Sequence, residues 1–494
     1  MSSPPPTAPL SFFPFLPVHC AHAPMSAPAA AASPLAAQLR AAHMERLLRV
    51  ATCVAVSGHG AALAPLLASA RAFYADAQLW AVLARLPGPG GRTRLMCAAG
   101  AGNEARAQFL LERGADVNDA DAEGRTALMY ASRVGGWRPF CHFCCDQAGG
   151  AGRLPVVQVL VRWGAALNAV DSKEGQTALI YASEDLRTAA VARFLIASGA
   201  DVNIASSTDL TALMCACQVG AFDVVHDLVE RGADVNAAAD YVDIEDCDTA
   251  LCYACSYGHV AIVRFLVEGV ANVHAESSSG TPLMYACRRG RLEVARYLVM
   301  EGGVAVNAVS SAGYTALMVA CQCGELETAE FLVEAGANVS ASTPAGTTAL
   351  VLASEEGNWD VVSFLLSKKA DVNVATEGGR TALMCACEQG HSGTVKELVD
   401  SGANQNAATA HGGMTALMFA CKGGSFECAE LLVGADVNAA SLSGGMTALM
   451  WACDNGNLRV ANLLIARGAD RSMTNSSGHT AHDLSAAAWA GTKP

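Results

Sequence analysis

The chain has 494 residues and a formal net charge of -14, with 52% hydrophobic but only 6% aromatic residues. That acidity repels phosphate backbones and excludes general nucleic-acid binding. The apolar share is mostly Ala, Val, Leu and Cys, which suits thin layers of small helices rather than one thick core.

Residues 1–43 are rich in Pro, Ala and Ser, contain no acid, and carry Arg40 as their one strong base. They read as a disordered tail. Ala21-His22-Ala23 resembles a signal cleavage site, but no basic segment precedes it, and Pro14 and Pro17 break the apolar run. A leader or transit peptide is therefore the second reading. Residues 44–90 have helical spacing of Leu47, Leu48, Val50, Leu63, Leu66, Leu67, Leu79, Trp80 and Leu83, and end at Leu86-Pro87-Gly88-Pro89-Gly90. They read as a helical N-terminal cap or a small helical module. Val50 to Ala70 has no Asp, Glu, Lys or Arg and is long enough to cross a bilayer. Ser57, Gly58, His59, Gly60 and Pro65 lower its hydrophobicity, so buried helices are expected and no membrane span.

From residue 91 a repeat takes over. Thr-Ala-Leu-Met starts at Thr126, Thr211, Thr315, Thr381, Thr415 and Thr447. Variants start at Thr93, Thr177, Thr249, Thr281 and Thr348. A second block, Gly-Ala-Asp-Val-Asn, is intact at Gly114, Gly199, Gly232 and Gly434. A period of about 33 residues marks a solenoid. In residues 313–339, the Thr315 hydroxyl is placed to cap a helix carrying Leu317, Ala320 and Cys321 on one side. Gly324 breaks it. A second helix presents Leu326, Ala329, Phe331, Leu332 and Val333, and Gly336 stops it. Such short helices bury their apolar sides only against neighbouring pairs, so stacking is obligatory.

Most of the 19 cysteines follow the same period. Cys217, Cys255, Cys287, Cys321, Cys387, Cys421 and Cys453 lie six residues after the repeat Thr, a slot that Ala99, Ser132, Ser183 and Ser354 fill elsewhere. The shared property is small size, so these are expected to be reduced core residues.

At these residues the chain resembles the ankyrin repeat family, whose pattern pairs Thr-Pro-Leu-His-x-Ala with a closing Gly-Ala-Asp-Val-Asn. The resemblance covers residues 91–486, in about eleven repeats and a partial one at Gly478 to Ala486, with residues 487–494 as a tail. It implies an all-α, ankyrin-repeat solenoid of stacked helix-turn-helix units with hairpin-like loops. Only Pro282 keeps the family Pro, and Met129, Met214 and Met418 stand where the family has His, so the polar network of that His is expected to be missing. Val270 and Lys369 replace the closing Gly, and strained or reshaped turns are expected there. Gly434 comes early, which predicts a short preceding helix.

Two insertions interrupt the repeats. The first, within Gly136 to Gly152, holds Cys141, His142, Cys144 and Cys145. Cys141-x-x-Cys144 is half of a zinc signature, without a second pair, so an unstructured excursion is expected and no metal. The second, between Asn236 and Thr249, holds Asp240, Asp243, Glu245, Asp246 and Asp248 without the Gly and terminal Glu of a calcium loop. Gly100-Ala101-Gly102-Asn103-Glu104-Ala105 mimics a dinucleotide fingerprint, but it falls between two repeat helices with no strand before it. The chain carries no enzyme signature and implies no cofactor.

Family members bind other proteins through loop tips and the first helix. Carried over by repeat position, the resemblance points to the residue before each Thr and the pair seven and eight after it. These are Arg125, Arg133, Asp185 (beside Glu184), Gln218, Tyr257, Arg288, Arg289, Tyr314, Gln322, Glu355, Glu356, Glu388, Gln389, Lys422, Asp454 and Asn455. They vary while the frame repeats, as a recognition surface requires. Tyr257, Arg288, Arg289 and Tyr314 are the expected central patch, because Tyr and Arg are enriched in hot spots. The resulting expectation is a monomeric, cytoplasmic, non-catalytic scaffold or adaptor for a partner protein, placed in a nucleus or organelle if residues 1–43 act as a transit peptide. The alternative is a substrate-recognition subunit of a larger assembly such as a ubiquitin ligase, with residues 44–90 as its docking module.

Overall fold

The computed structural model describes residues 91–133, 153–239, 249–269, 271–276 and 280–490. The N-terminal tail and the 44–90 segment, the Cys141–Cys145 cluster, the acidic residues 240–248 and Val270 lie outside the described residues. The chain divides into a unit Met1–Leu83 and a unit Ala84–Pro494, and all described residues belong to the second.

Helices come in pairs: α1 (Arg94–Gly100) with α2 (Glu104–Glu112), α3 (Ala127–Ser132) with α4 (Leu154–Arg162), and α5 (Ala178–Ser183) with α6 (Ala189–Ala197), the last pair joined by a 3-10 turn (Leu186–Thr188). There follow α7 (Ala212–Val219) and α8 (Phe222–Glu230), α9 (Ala250–Tyr257) and α10 (Val260–Glu268), α11 (Pro282–Arg288) and α12 (Leu292–Met300), and α13 (Ala316–Gln322) and α14 (Leu326–Glu334). The series continues with α15 (Ala349–Glu356) and α16 (Trp359–Ser367), α17 (Ala382–Gln389) and α18 (Ser392–Asp400), α19 (Ala416–Gly423) and α20 (Phe426–Leu431), and α21 (Ala448–Asp454) and α22 (Leu458–Ala466). It ends at α23 (Ala481–Ala490). Each first helix packs on the first helix of the next pair, and each second helix on the next second helix.

Every first helix begins at the repeat Thr. The Thr315 hydroxyl accepts the Met318 amide at 3.2 Å, and Thr211, Thr381 and Thr415 do the same in their own repeats. The Met that stands in place of the family His takes part in the cap locally. In two repeats the Met thioether closes a capping box, Met96 Sδ accepting the Thr93 amide at 3.3 Å and Met450 Sδ that of Thr447 at 3.5 Å, and Met129 Sδ accepts the Thr126 amide at 3.5 Å without the reciprocal hydroxyl bond. Leu and Met of each block then disappear into the core, as Leu317 and Met318 do at 1% exposure. At about 2–5 kcal/mol for a buried Leu→Ala change, each such layer matters to the whole.

Two backbone devices join the repeats. Between pairs the chain makes a hairpin with a single antiparallel bridge, such as Val309↔Thr315 or Ser342↔Thr348. In several of the described hairpins an Asp, Ser, Thr or Asn side chain holds the turn. Asp121 accepts the Glu123 and Arg125 amides, Thr343 that of Thr347, and Ser441 that of Met446. The Asn of Gly-Ala-Asp-Val-Asn then reaches into the next repeat. Asn203 donates to the Gly232 carbonyl at 3.0 Å and accepts the Asp234 amide at 2.8 Å, and Asn307, Asn406 and Asn438 repeat the pattern.

The expected irregularities are present where they can be seen. Lys369 takes φ +66°, the left-handed conformation that its glycine counterparts adopt freely. Helix α20 spans six residues where its neighbours α18 and α22 span nine. Neighbouring repeats repair that deletion. The Arg467 guanidinium donates to the carbonyls of Ala429 (2.7 Å), Leu432 (3.3 Å) and Glu430, all at the end of α20. From the other side, Gln405 Oε1 accepts the Gly434 amide at 2.9 Å.

Candidate partner-binding surface

The residues seven and eight after each Thr close the first helix at its C-terminal end. The residue before the Thr lies at the hairpin end, about 10 Å away along a helix of seven residues. The anticipated site residues therefore form two rows, not one. In the C-terminal row, Tyr257, Arg289, Glu356, Gln389, Lys422, Asp454 and Asn455 are exposed. Arg133, Asp185, Gln218, Arg288, Gln322, Glu355 and Glu388 are half-buried. In the hairpin row, Tyr314 is half-buried against the core and Arg125 is buried.

Two of these placements correct the expected map. Arg125 is no contact residue: its guanidinium makes Nε and Nη2 bonds to Asp121 at 3.0 and 2.8 Å, pairs with Glu123, and sits over the Tyr130 ring. Tyr130 in turn donates its hydroxyl to Asp121 at 2.7 Å. Burial opposes ionisation of Asp121, yet the Tyr130 hydroxyl and the Arg125 and Glu123 bonds together hold its carboxyl below the ordinary range. Asp171 repeats the arrangement with the Tyr181 hydroxyl at 2.8 Å. Tyr314, for its part, is two repeats from Tyr257 and at the opposite helix end, so the expected four-residue patch does not converge.

What does converge is a ridge along the C-terminal ends of α7, α9, α11, α13 and α15. Gln218 Nε2 donates to the Tyr257 hydroxyl at 3.0 Å across one repeat boundary, and Tyr257 is 45% exposed. Arg288 lies over the Tyr285 ring at 5.7 Å. Exposed Cys323 feels both Arg288 and Arg289 from one side and Glu325 and Glu356 from the other. Partial burial pushes its thiol up, and Arg288 opposes that shift.

Several cations, Arg133 and Lys422 of the expected set among them, already have an intramolecular role. Four residues after the repeat Thr, some repeats carry an aromatic ring, and a cation from the preceding repeat covers it. Arg92 lies over Tyr130 (5.6 Å), Arg133 over Tyr181 (5.2 Å), Arg380 over Phe419 (5.5 Å) and Lys422 over Trp451 (5.5 Å). Arg380 also pairs with Glu388, and Asp185 is held bidentate by Arg187. Glu184 sits beside Arg133 at 4.0 Å, where burial raises its carboxyl above the ordinary value.

A second row was not anticipated. On the second helices, the fifth residue of one repeat meets the sixth of the next. Arg193 meets Asp227 at 2.7 Å, Arg264 lies over Tyr297 at 4.7 Å, Arg296 over Phe331 at 4.8 Å, and Ser363 donates to Glu397 at 3.1 Å. The signal is the aromatic recurrence at Phe194, Phe265, Tyr297, Phe331 and Phe364, with Arg193, Arg264 and Arg296 directly before the first three. Among the described residues, His226, Asp227 and Glu230 approach closely enough to suggest a metal, but Arg193 already occupies Asp227 and the group reads as an ion-pair cluster. Of the period-fixed cysteines, Cys217, Cys255, Cys287, Cys321, Cys387 and Cys421 are buried, and burial raises the Cys421 thiol to about 12. Cys453 is half-buried. Gly100 to Ala105 spans the last residue of α1, the turn after it and the first two residues of α2. No helix among the described residues is long and apolar enough to cross a membrane.

Comparison with known proteins fits this geometry. A family profile described as Ankyrin repeats (3 copies) matches residues 54–139, 141–239, 240–309, 271–343, 302–376, 340–409, 373–441 and 407–475. The chain is similar to the B-cell lymphoma 3 protein homolog of Mus musculus, 33% identical over 129 residues, which is 26% of this chain and 28% of that protein. It is 34% identical over 125 residues, a quarter of this chain, to the ankyrin repeat domain-containing protein SAT10 of Stachybotrys chartarum, covering 6% of that protein. It is 31% identical over 190 residues, 38% of this chain, to the ankyrin repeat and KH domain-containing protein mask-1 of Caenorhabditis elegans, again covering 6%. In each case the similarity spans less than a third of the relative. Such repeats generally mediate protein–protein interactions and are typically non-catalytic. With the repeat profile matching most of its length and the helix pairs stacked in the same register, the chain belongs to the ankyrin repeat family.

Proposed function

We propose that the chain is a non-catalytic scaffold or adaptor that holds a partner protein along the C-terminal ridge of its first helices. The observation that carries this reading is the contrast between frame and ridge. Leu and Met of the frame recur and are buried, whereas Tyr257, Arg289, Glu356, Gln389, Lys422 and Asp454 differ from repeat to repeat and are exposed. The Tyr257, Arg288 and Arg289 cluster is the proposed centre, with Cys323 and Glu356 replacing Tyr314 in the patch. Large side chains with a polar tip and planar cations anchor interfaces well, because they give much contact area for little lost entropy.

The matched repeats start at residue 54, inside the segment that a ligase subunit would use for docking. This supports residues 44–90 as a repeat-like cap and favours the scaffold over the substrate-receptor reading. The test is a quantitative pulldown with the full chain, with Tyr257→Ala/Arg289→Glu, and with Glu327→Lys on α14 as control. Partners lost with the ridge variant and retained with the control support the proposal. Identical partner lists for all three, with unfolding midpoints unchanged, would remove it.

A further inference from the structure

Between α11 and α15 the ridge changes sign. Helix α11 runs into Arg288-Arg289-Gly290-Arg291, three cations within four residues of a chain whose net charge is -14. Arg289 and Arg291 are exposed and Arg288 is half-buried. Arg291 is tied down by its Nε bond to the Ser256 carbonyl at 3.0 Å, and Arg288 by its place over the Tyr285 ring. Two repeats on, α15 ends in half-buried Glu355 and exposed Glu356. The repeat between them holds the boundary. Glu325 takes the place that Arg291 has one repeat earlier, and its carboxylate lies against Gly290, where any side chain would collide with it. Exposed Cys323 completes the boundary: Arg288 and Arg289 act on its thiol from the cationic side, and Glu325 and Glu356 from the anionic side.

An aromatic ring stands at each end of this stretch. Tyr257 closes α9, one repeat before the arginines, and is 45% exposed. Trp359 opens α16, just after the two glutamates, and is 61% exposed. Exposed Tyr and Trp beside Arg are the residue types that most often anchor an interface. Packed helices lie about 8–10 Å apart, so the rings, three repeats apart, are separated by about 30 Å along the ridge and the two charged pairs by about 20 Å. An extended segment advances about 3.3 Å per residue, so about nine residues cover the first distance and about six the second. A segment of one sign throughout gains at one end of such a surface and is repelled at the other, whereas a segment of divided charge gains at both.

We propose that the ridge from α9 to α16 takes an extended partner segment whose own charge is divided, with carboxylates over Arg288 and Arg289 and basic side chains over Glu355 and Glu356. The neutral midpoint of that segment passes Cys323. This rests on the reading of the ridge as the partner-binding surface and adds the chemistry of what the surface holds.

The experiment is thiol–disulfide exchange on the full chain, with Cys323 as the reporter. The probe is a peptide of about nine residues with a block of glutamates, a central cysteine and a block of lysines, its cysteine carried as the mixed disulfide with thionitrobenzoate. The Cys323 thiolate attacks the peptide sulfur, the new S–S bond replaces the old one, and thionitrobenzoate leaves and is read by absorbance. The comparison peptide has the same residues with the charges alternating around the same cysteine. Mass spectrometry locates the labelled cysteine, and Cys323→Ser sets the background. The blocked peptide should label Cys323 about tenfold faster than the alternating one at low salt. That ratio should fall toward unity at about 1 M salt, where charges more than about 3 Å apart are screened. Arg289→Gln and Glu356→Gln should each lower the ratio about threefold. Both side chains are exposed, and any change these variants make to the thiol itself cancels in the ratio. Equal rates for the two peptides at low salt, or a ratio indifferent to salt and to both variants, overturns the proposal. Equal rates beside partners lost from the pulldown with Tyr257→Ala/Arg289→Glu remove the charge order and leave the ridge, whereas partners kept in that pulldown remove the ridge reading and the proposal with it.

Discussion

Arg467 is the sharpest test of how this stack tolerates a deletion. In an intact repeat the second helix ends by returning three amides to its last carbonyls, as Ala335, Gly336 and Ala337 do to Phe331, Val333 and Leu332 at 2.8, 3.1 and 2.9 Å. Helix α20 ends too early for this, and Arg467 supplies donors to Ala429, Glu430 and Leu432 instead. Arg467→Met keeps most of the stem and removes all of those donors. A bond to a charged group contributes about 1.5–3 kcal/mol, and a buried carbonyl left unmatched costs about 1–3 kcal/mol. Ala429 is fully buried, while Arg467 is half-exposed and Glu430 is reached by water. Discounting the wet bonds leaves about 2 kcal/mol. The assay is native-state hydrogen exchange at the amides of residues 428–437, where that loss means exchange about thirty times faster. Arg459→Met is the control. It loses only its stacking over Phe426 at 4.6 Å, which is about 0.5–1 kcal/mol at an exposed site and no more than about fivefold in exchange. An Arg467→Met protein whose amides in this window exchange within about threefold of the parent would refute the reasoning.

Three further outcomes are expected. Asp121 and Asp171 have carboxyls held below their ordinary value of 3.8, so the unfolded chain binds their protons first and stability falls with acid. The contribution is complete above that value and is lost as pH drops through the folded value, while Glu184, shifted the other way, opposes it slightly. Asp121→Asn/Asp171→Asn should flatten urea midpoints measured between about pH 5 and pH 2, and an unchanged slope would contradict the assignment. Lys369→Gly should stabilise by about 1 kcal/mol, read as a higher urea midpoint, because φ +66° strains Lys and suits Gly. In timed thiol alkylation mapped by mass spectrometry, Cys323 should label well before Cys217, Cys255, Cys287, Cys321, Cys387 and Cys421; simultaneous labelling would mean that their burial is not maintained.

Much of the architecture was legible because it repeats. The Thr blocks marked the helix starts, Gly434 announced the short α20, and Lys369 announced a strained turn. The ridge was legible only in part, since position within a repeat says which helix end a residue occupies but not what its neighbour offers. Arg125 looked like a surface cation until Asp121 and Tyr130 were seen to enclose it. The same holds for the cations over Tyr181 and Trp451, and for Arg467 reaching back 38 residues to Ala429. Those contacts depend on how far consecutive repeats are rotated and shifted, and one repeat read alone contains no such information. The Met thioethers escaped notice for a different reason: sulfur as an acceptor for the amide of the capping Thr is a weak bond that residue type does not advertise.

The Asn clasps point one way. Each Asn grips the Gly carbonyl and a following amide of the repeat to its C-terminal side, as Asn203 does with Gly232 and Asp234. A chain leaving the ribosome presents its earlier repeats first, so every completed unit carries a waiting hand for the one still being made. Assembly can then keep pace with translation, each newcomer docking on a finished template instead of searching among near-identical siblings. In a molecule of such monotonous sequence, that polarity is a safeguard against joining the wrong neighbours.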